Sequence, residues 1–124
     1  MRKIKFRAWD GFKIIYDFWI DSKTGIPHQQ WYEDMDMISG AKIMQYTGLN
    51  DKNGKEIYEG DIFKTILGWV AVVEWDEINA RFLGFTLERE RKILYVGREP
   101  AVEVIGNIYD NPELLTKYHK VVIV

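Results

Sequence analysis

Glu59-Gly60-Asp61-Ile62-Phe63-Lys64-Thr65-Ile66-Leu67-Gly68-Trp69-Val70-Ala71-Val72-Val73-Glu74-Trp75 is the stretch that decides the fold. Glu59-Gly60-Asp61 punctuates the chain, and beyond it short apolar runs alternate with turn formers. Val70, Val72 and Glu74 interleave with Ala71, Val73 and Trp75, so both faces of this strand carry apolar residues. A strand of that pattern is buried on both sides for much of its length. The same rhythm continues downstream and predicts strands at 62–66, 70–75, 81–87, 93–96 and 102–108. Short strands with turn signals roughly every ten residues indicate a small barrel or sandwich. The periodicity nominates Ile57, Ile62, Val70, Val72, Phe82, Phe85, Val104, Ile105 and Ile108 as core.

Upstream, Ile4-Lys5-Phe6-Arg7-Ala8-Trp9 and Phe12-Lys13-Ile14-Ile15-Tyr16 flank Asp10-Gly11. Ile4, Phe6 and Ala8 share one strand face; Lys5, Arg7 and Trp9 share the other. Asp-Gly suits a two-residue turn, so an N-terminal hairpin is expected. Residues 22–27 read as a loop, since Pro27 cannot donate to a ladder. Residues 31–40 fit two patterns. Met35 and Met37 alternate with acids as in a strand, while Trp31, Met35 and Ile38 fit a helical turn; an irregular or short-strand segment is expected. Residues 43–46 read as a short strand stopped by Gly48. Asn53-Gly54 then marks a second hairpin turn, with positive φ expected at both residues.

Downstream, Asn111 reads as a helix cap, Pro112 as the first helical residue and Glu113 as a favourable charge at the positive end. The helix should run to about 118. The segment 119–124, ending Val121-Val122-Ile123-Val124, is β-prone and should find a strand to pair with, in this chain or a neighbour. The expected whole is one mainly β domain over 1–124. An N-terminal hairpin and irregular segment (1–42) pack on an SH3-like or similar small barrel (43–110), with a short helix and tail (111–124).

With 124 residues, the chain has enough material to bury a core without disulfides. It has no cysteine, which excludes thiol catalysis and Cys-zinc sites. Seventeen Lys and Arg against nineteen Asp and Glu leave a net charge of -2, so no general basic field attracts nucleic acid. Apolar residues at 47% and charged residues at 29% describe a folded rather than a disordered chain. The basic N-terminus runs into Asp10-Gly11 without the apolar core of a targeting signal. The apolar runs 69–73 and 121–124 fall far short of the roughly 20 residues of a spanning helix. The expected location is the bacterial cytoplasm.

Three stretches together resemble the YopX family of phage and prophage proteins. They are Ile4-Lys5-Phe6-Arg7-Ala8-Trp9-Asp10, the long run from Gln45-Tyr46-Thr47-Gly48-Leu49-Asn50-Asp51-Lys52-Asn53-Gly54 to Lys55-Glu56-Ile57-Tyr58-Glu59-Gly60-Asp61-Ile62, and Val104-Ile105-Gly106-Asn107-Ile108-Tyr109-Asp110-Asn111-Pro112-Glu113-Leu114-Leu115. They frame residues 1 to about 115, without the segment 17–42. The resemblance implies a small, mostly β protein encoded by a bacterial virus or prophage. It carries no assigned activity, so it transfers no catalytic or binding residue.

The residues themselves carry no complete catalytic constellation. His28 lies beside Pro27 and His119 near the tail, while Ser22 and Ser39 fall in expected loops; no nucleophile elbow occurs. Asp51-x-Asn53-Gly54 has the look of a calcium loop, but an EF-hand with Gly54 at its sixth position would need carboxylates at Leu49 and Gly60. A hairpin turn explains it better. Glu33, Asp34 and Asp36 could gather a divalent ion weakly, yet neighbouring acids usually form a solvated face. Gly60 and Gly68 make no phosphate cradle. No metal and no cofactor are expected.

Five Trp, seven Tyr and six Phe, 15% of the chain, are the remaining signal. Exposed rings on a small barrel can stack single-stranded bases, and Arg89, Arg91, Lys92 and Arg98 lie near Tyr95. Glu88, Glu90 and Glu99 interleave with them, and aromatic side chains fill β cores more often than they stack bases. Trp9, Trp19 and Trp31 are hard to place in one small core and suit an interface. The candidate interaction surface is therefore Trp9, Trp19, Trp31, Arg89, Arg91, Lys92 and Tyr95. The leading expectation is a non-enzymatic accessory protein acting through a protein partner or its own oligomer. A single-strand nucleic-acid binder comes second and a weak carboxylate-metal hydrolase third.

Overall fold

The computed structural model describes residues 3–16, 19–20, 23, 27–28, 41–87, 92–97 and 101–118. Trp31, Arg89, Arg91, Arg98, His119, the acids of 33–36, the ambiguous segment 31–40 and the tail 119–124 lie outside the described residues. The elements are β1 (Phe6–Trp9), β2 (Ile14–Ile15), β3 (Trp19–Ile20), β4 (Pro27–His28), β5 (Lys42–Asn50), β6 (Glu56–Tyr58), β7 (Asp61–Lys64), β8 (Val70–Asp76), β9 (Arg81–Thr86), β10 (Ile93–Leu94), β11 (Glu103–Asn107) and α1 (Pro112–Tyr118).

The fold is mainly β, with the expected N-terminal hairpin and short final helix. One antiparallel sheet has the order β2-β1-β5-β6. A second, in the order β10-β9-β8-β7-β11, curls into a half-barrel. β3 and β4 form a separate two-stranded pair. The strand pair β5–β6 joins the hairpin through β1, so the curled sheet begins at Asp61.

β8 is buried on both faces, as its sequence requires, because it lies between β7 and β9 with a core on each side. Ala71 and Val73 pack with Phe63, Ile57, Val96, Val102 and Val104 inside the curl. Val70 and Val72 pack with Ile62 on the opposite face, where Ile105, Ile108, Leu114 and Leu115 cover them. The helix therefore exists to close the outer face of the half-barrel. Of the nominated core, Ile57, Ile62, Val70, Val72 and Val104 are buried, while Phe82, Phe85, Ile105 and Ile108 are half-buried.

Several local expectations are corrected. The first turn spans four residues: Trp9 pairs with Ile14, and the Asp10 carboxylate accepts the N–H groups of Phe12 and Lys13. Gly48 does not stop its strand. It takes φ +88° within β5, and the register shifts between Tyr46 and Asn50. At the second hairpin Gly54 alone has positive φ (+81°) and Asn53 does not. Pro27 lies in a two-residue strand opposite Ile20 rather than in the loop. Asn111 precedes the helix, but its side-chain oxygen accepts the N–H of Asn107 behind it, while its backbone carbonyl accepts Leu114 N–H. The side chain thus ties the helix start to β11 instead of capping it.

Candidate functional site

Each face of β1 buries one residue: Ala8 on the apolar face and Arg7 on the charged one, while Phe6 remains exposed. Ile4 is 66% exposed, whereas the Arg7 side chain is 2% exposed. Arg7 Nη2 donates to Asp61 Oδ1 at 2.7 Å and reaches the Glu59 carbonyl at 3.3 Å. Its guanidinium lies 4.7 Å from the Tyr58 ring centre, and Tyr58 in turn meets Tyr46 and Tyr16. Asp61 Oδ2 accepts Tyr58 N–H at 2.8 Å. Arg7 Nε is buried without a hydrogen-bond partner among the described residues. Arg7 comes from the first sheet and Asp61 from the second, so this buried ion pair fixes one sheet against the other. Burial is the largest influence on the Asp61 carboxyl and pushes its pKa up, against the pull of Arg7 and the Tyr58 N–H. Burial likewise pushes the Tyr58 phenol up to about 12.

A second buried acid sets the hairpin after β5. The Asp51 carboxylate accepts N–H bonds from Asn53, Lys55 and, across the sheets, Val104. Burial pushes this carboxyl up, but the three backbone bonds outweigh it and hold the pKa below the usual range. Lys52 N–H also reaches the Val102 carbonyl, docking the turn on β11 and its approach. The calcium-loop appearance of Asp51-x-Asn53-Gly54 thus has a structural explanation: the carboxylate binds backbone. Among the described residues no three His, Asp or Glu side chains converge as a metal site would need.

Between the sheets and the helix runs a groove of about 910 Å³. Ile43 and Met44 of β5 form one wall, Val72 and Trp75 of β8 another, and Leu115 and Thr116 of α1 a third. The charged residues lining it are Glu59 and Glu74, both acidic. Glu59 Oε1 accepts Gln45 N–H at 3.4 Å. Tyr109 also lines the groove. Burial first, and then the negative charge of Glu59, raise its phenol pKa. The volume lies within the range of sites that hold small molecules or short segments.

The sequence-predicted residues fall in different places. Trp9 is half-buried and stacks on Tyr109, with centroids 5.6 Å apart, so it braces the β1 end near the groove. Trp19 is in β3, where it pairs with His28 of β4. Lys92 lies over the Trp69 ring at 4.2 Å, and Arg81 over Tyr95 at 5.2 Å. Arg81 also pairs with Asp76. Trp9 belongs to β1 of the first sheet, while Lys92 and Tyr95 flank β10 of the second. The groove itself went unseen in the sequence, because its walls lie in three elements far apart along the chain.

Two antiparallel sheets clasped by a buried Arg–Asp pair, with a helix over the outer face, define a small β scaffold carrying a groove. Residues 5–116 match the YopX protein family, and the chain belongs to it. Both members of the clasp, Arg7 and Asp61, lie in the stretches that carry the family resemblance. Protein EF1440 from Enterococcus faecalis shares 28% identity and a TM-score of 0.55, covering 93% of this chain and 99% of its own. Protein yopX from Bacillus subtilis is 23% identical with a TM-score of 0.58, covering 93% and 97% respectively, and shows the same fold. No curated protein matches the chain. No helix among the described residues is long and apolar enough to cross a membrane.

Proposed function

We propose that the chain is a non-enzymatic interaction module of a bacterial virus or prophage. It works in the host cytoplasm and holds a protein segment in the groove between its sheets and α1. The observation that carries this is the lining of the groove: apolar walls with Glu59 and Glu74 as its charged residues. An apolar segment bearing a Lys or Arg is complementary to it in both respects. The Arg7–Asp61 clasp supports the reading, since it holds walls from two different sheets in a fixed relation and so preorganises the site. The single-strand nucleic-acid reading is weaker. The Trp69 and Tyr95 rings each already have a cation of this chain against them, and an acidic groove repels phosphate.

Selection from a displayed peptide library tests the proposal. It should enrich segments of alternating apolar residues flanked by Lys or Arg. Their binding should fall at least about tenfold in Glu59→Lys, roughly the 1.4 kcal/mol of one charge contact. Enriched peptides that bind Glu59→Lys equally well, or no enrichment at all, would defeat the reading.

A further inference from the structure

The chain passes from β6 of the first sheet to β7 of the second through Glu59-Gly60, with φ +86° at Gly60. At this crossing Glu59 N–H donates to the Gln45 carbonyl of β5 at 2.9 Å, and Gly60 N–H donates to the Val73 carbonyl of β8 at 2.8 Å. Both strands run on past it. β7 pairs with β8 as far as Val72, while β9 follows β8 to Asp76. Along a strand in an antiparallel sheet, successive residues turn their N–H and C=O groups to opposite sides. The Val70 carbonyl accepts Leu87 N–H on the β9 side and the Val73 carbonyl serves the other, so Trp75 presents its backbone groups to the side that β7 does not reach. β5 is built the same way. Tyr46 N–H donates to the Lys5 carbonyl on the β1 side, the Gln45 carbonyl serves the opposite side, and Ile43 faces as Gln45 does. Among the described residues no backbone bond reaches Trp75 or Ile43 from these sides. Both residues line the groove.

We infer that the groove takes its protein segment as an added β-strand, whose main chain pairs with the edge of β8 at Trp75 along the line that β7 leaves. The inference rests on the groove reading above and gives the occupant its conformation. A helix satisfies its own backbone groups and would leave both strand edges without partners in an apolar groove. An extended segment pairs with an edge, which is a ready template for another strand. Main-chain bonds then supply affinity, and alternate side chains supply specificity. The acids Glu59 and Glu74 set the remaining requirement, an apolar strand of another protein bearing a Lys or Arg.

The probe is the tightest-binding peptide from the displayed library, remade with a single N-methyl group at each backbone position in turn. N-methylation removes one N–H donor. In an added strand every second N–H points at β8, so binding to the full chain should fall about tenfold or more at alternate positions and stay near its original strength at those between. The second readout is the hydrogen exchange of the Trp75 amide, followed by NMR. Saturating peptide should slow it at least about tenfold, because the N–H gains a backbone partner in place of water. A helical occupant loses binding at successive interior positions, and an occupant held by side chains alone tolerates every methyl group. Either pattern overturns the added strand and leaves the groove reading standing, as does unchanged exchange at Trp75. Protection of Trp75 without peptide, growing with protein concentration alongside a dimer mass, overturns it in favour of a second copy as occupant. A library that enriches nothing removes the added strand together with the groove reading.

Discussion

The Arg7 guanidinium and the Asp61 carboxylate meet at 2.7 Å with side chains 2% and 1% exposed, linking β1 of one sheet to β7 of the other. Two charges this deep are stable only as a pair, because each alone would sit in a poor dielectric without compensation. The tyrosines around them, Tyr58 above all, cover the pair rather than hydrate it. The clasp therefore concerns specificity of sheet-on-sheet docking more than net stability.

Breaking the pair from one side is expected to cost about 3–5 kcal/mol, by Arg7→Met or by Asp61→Leu, since either leaves an uncompensated buried charge. The double variant should be markedly less damaging than the sum of the two. Urea unfolding of all four proteins measures the coupling, and simple additivity would show that the two residues do not act as a unit.

Asp51 predicts acid sensitivity. Against the upward push of burial, its pKa in the fold lies below that of an ordinary aspartate, because three backbone N–H groups hold the carboxylate. Above the unfolded-state value of about 3.9 the carboxylate is ionised in both states and its stabilisation is fully present. As pH falls through the folded-state pKa the unfolded chain has already bound its proton, and the contribution disappears. Asp51→Asn removes the ionisable carboxyl. The wild type should therefore lose more stability than Asp51→Asn between pH 5 and strongly acid conditions, although it is the more stable at neutral pH. Asp10 and Asp76 also titrate low, and Asp61 high, but they are common to both proteins and cancel in the comparison. Parallel stability curves would remove Asp51 from the acid response.

Two glycines separate backbone strain from crowding. Gly54 has φ +81° and nothing within 4 Å of an added Cβ, so Gly54→Val should cost roughly 1–2 kcal/mol through backbone strain alone. Gly84 has no such φ, yet an added Cβ would lie 2.5 Å from Cζ of Phe63, a ring with 0% exposure. Gly84→Ala should cost about 1–3 kcal/mol or more by overpacking, and Gly84→Ala with Phe63→Leu should recover part of it. No recovery in the double variant would assign the effect to the strand backbone instead.

The strands of the curled sheet were legible because their signal is local. Two interleaved apolar sets at 70–73 leave a strand with two cores as the simplest solution, and the helix that covers the outer set starts at a readable Asn-Pro-Glu. Arg7 was not legible. Alternation divides β1 into two faces but does not say which residues of each are covered, and a face of Lys, Arg and Trp reads as solvent until the acid that neutralises it is known. That acid is 54 residues away and doubles as a turn former. Asp51 hides in the same manner: its local sequence announces a turn, while the bond to Val104 that docks the turn joins residues 53 apart. The groove is hidden most completely. It is made by β5, β8 and α1, so it exists only once both sheets and the helix are assembled.

The last prediction concerns catalysis. The purified protein should turn over no common ester, peptide or nucleotide substrate, with or without magnesium. Hydrolysis requires an activated nucleophile, a base of matched pKa, or a metal held by converging ligands. The best-placed polar groups here are committed elsewhere. Asp51 is bonded to three backbone N–H groups, and Asp61 is bound to Arg7 and the Tyr58 N–H. With its pKa at about 12 the Tyr58 phenol keeps its proton at neutral pH and cannot act as a base. Glu59 and Glu74 both line the apolar groove, but no third acid or histidine converges with them as a metal site would need among the described residues. A panel of chromogenic esters, peptides and nucleotides, assayed to the background hydrolysis rate, checks this. Turnover that follows the protein through purification and is lost in Glu59→Gln would make the groove an active site and overturn the interaction reading.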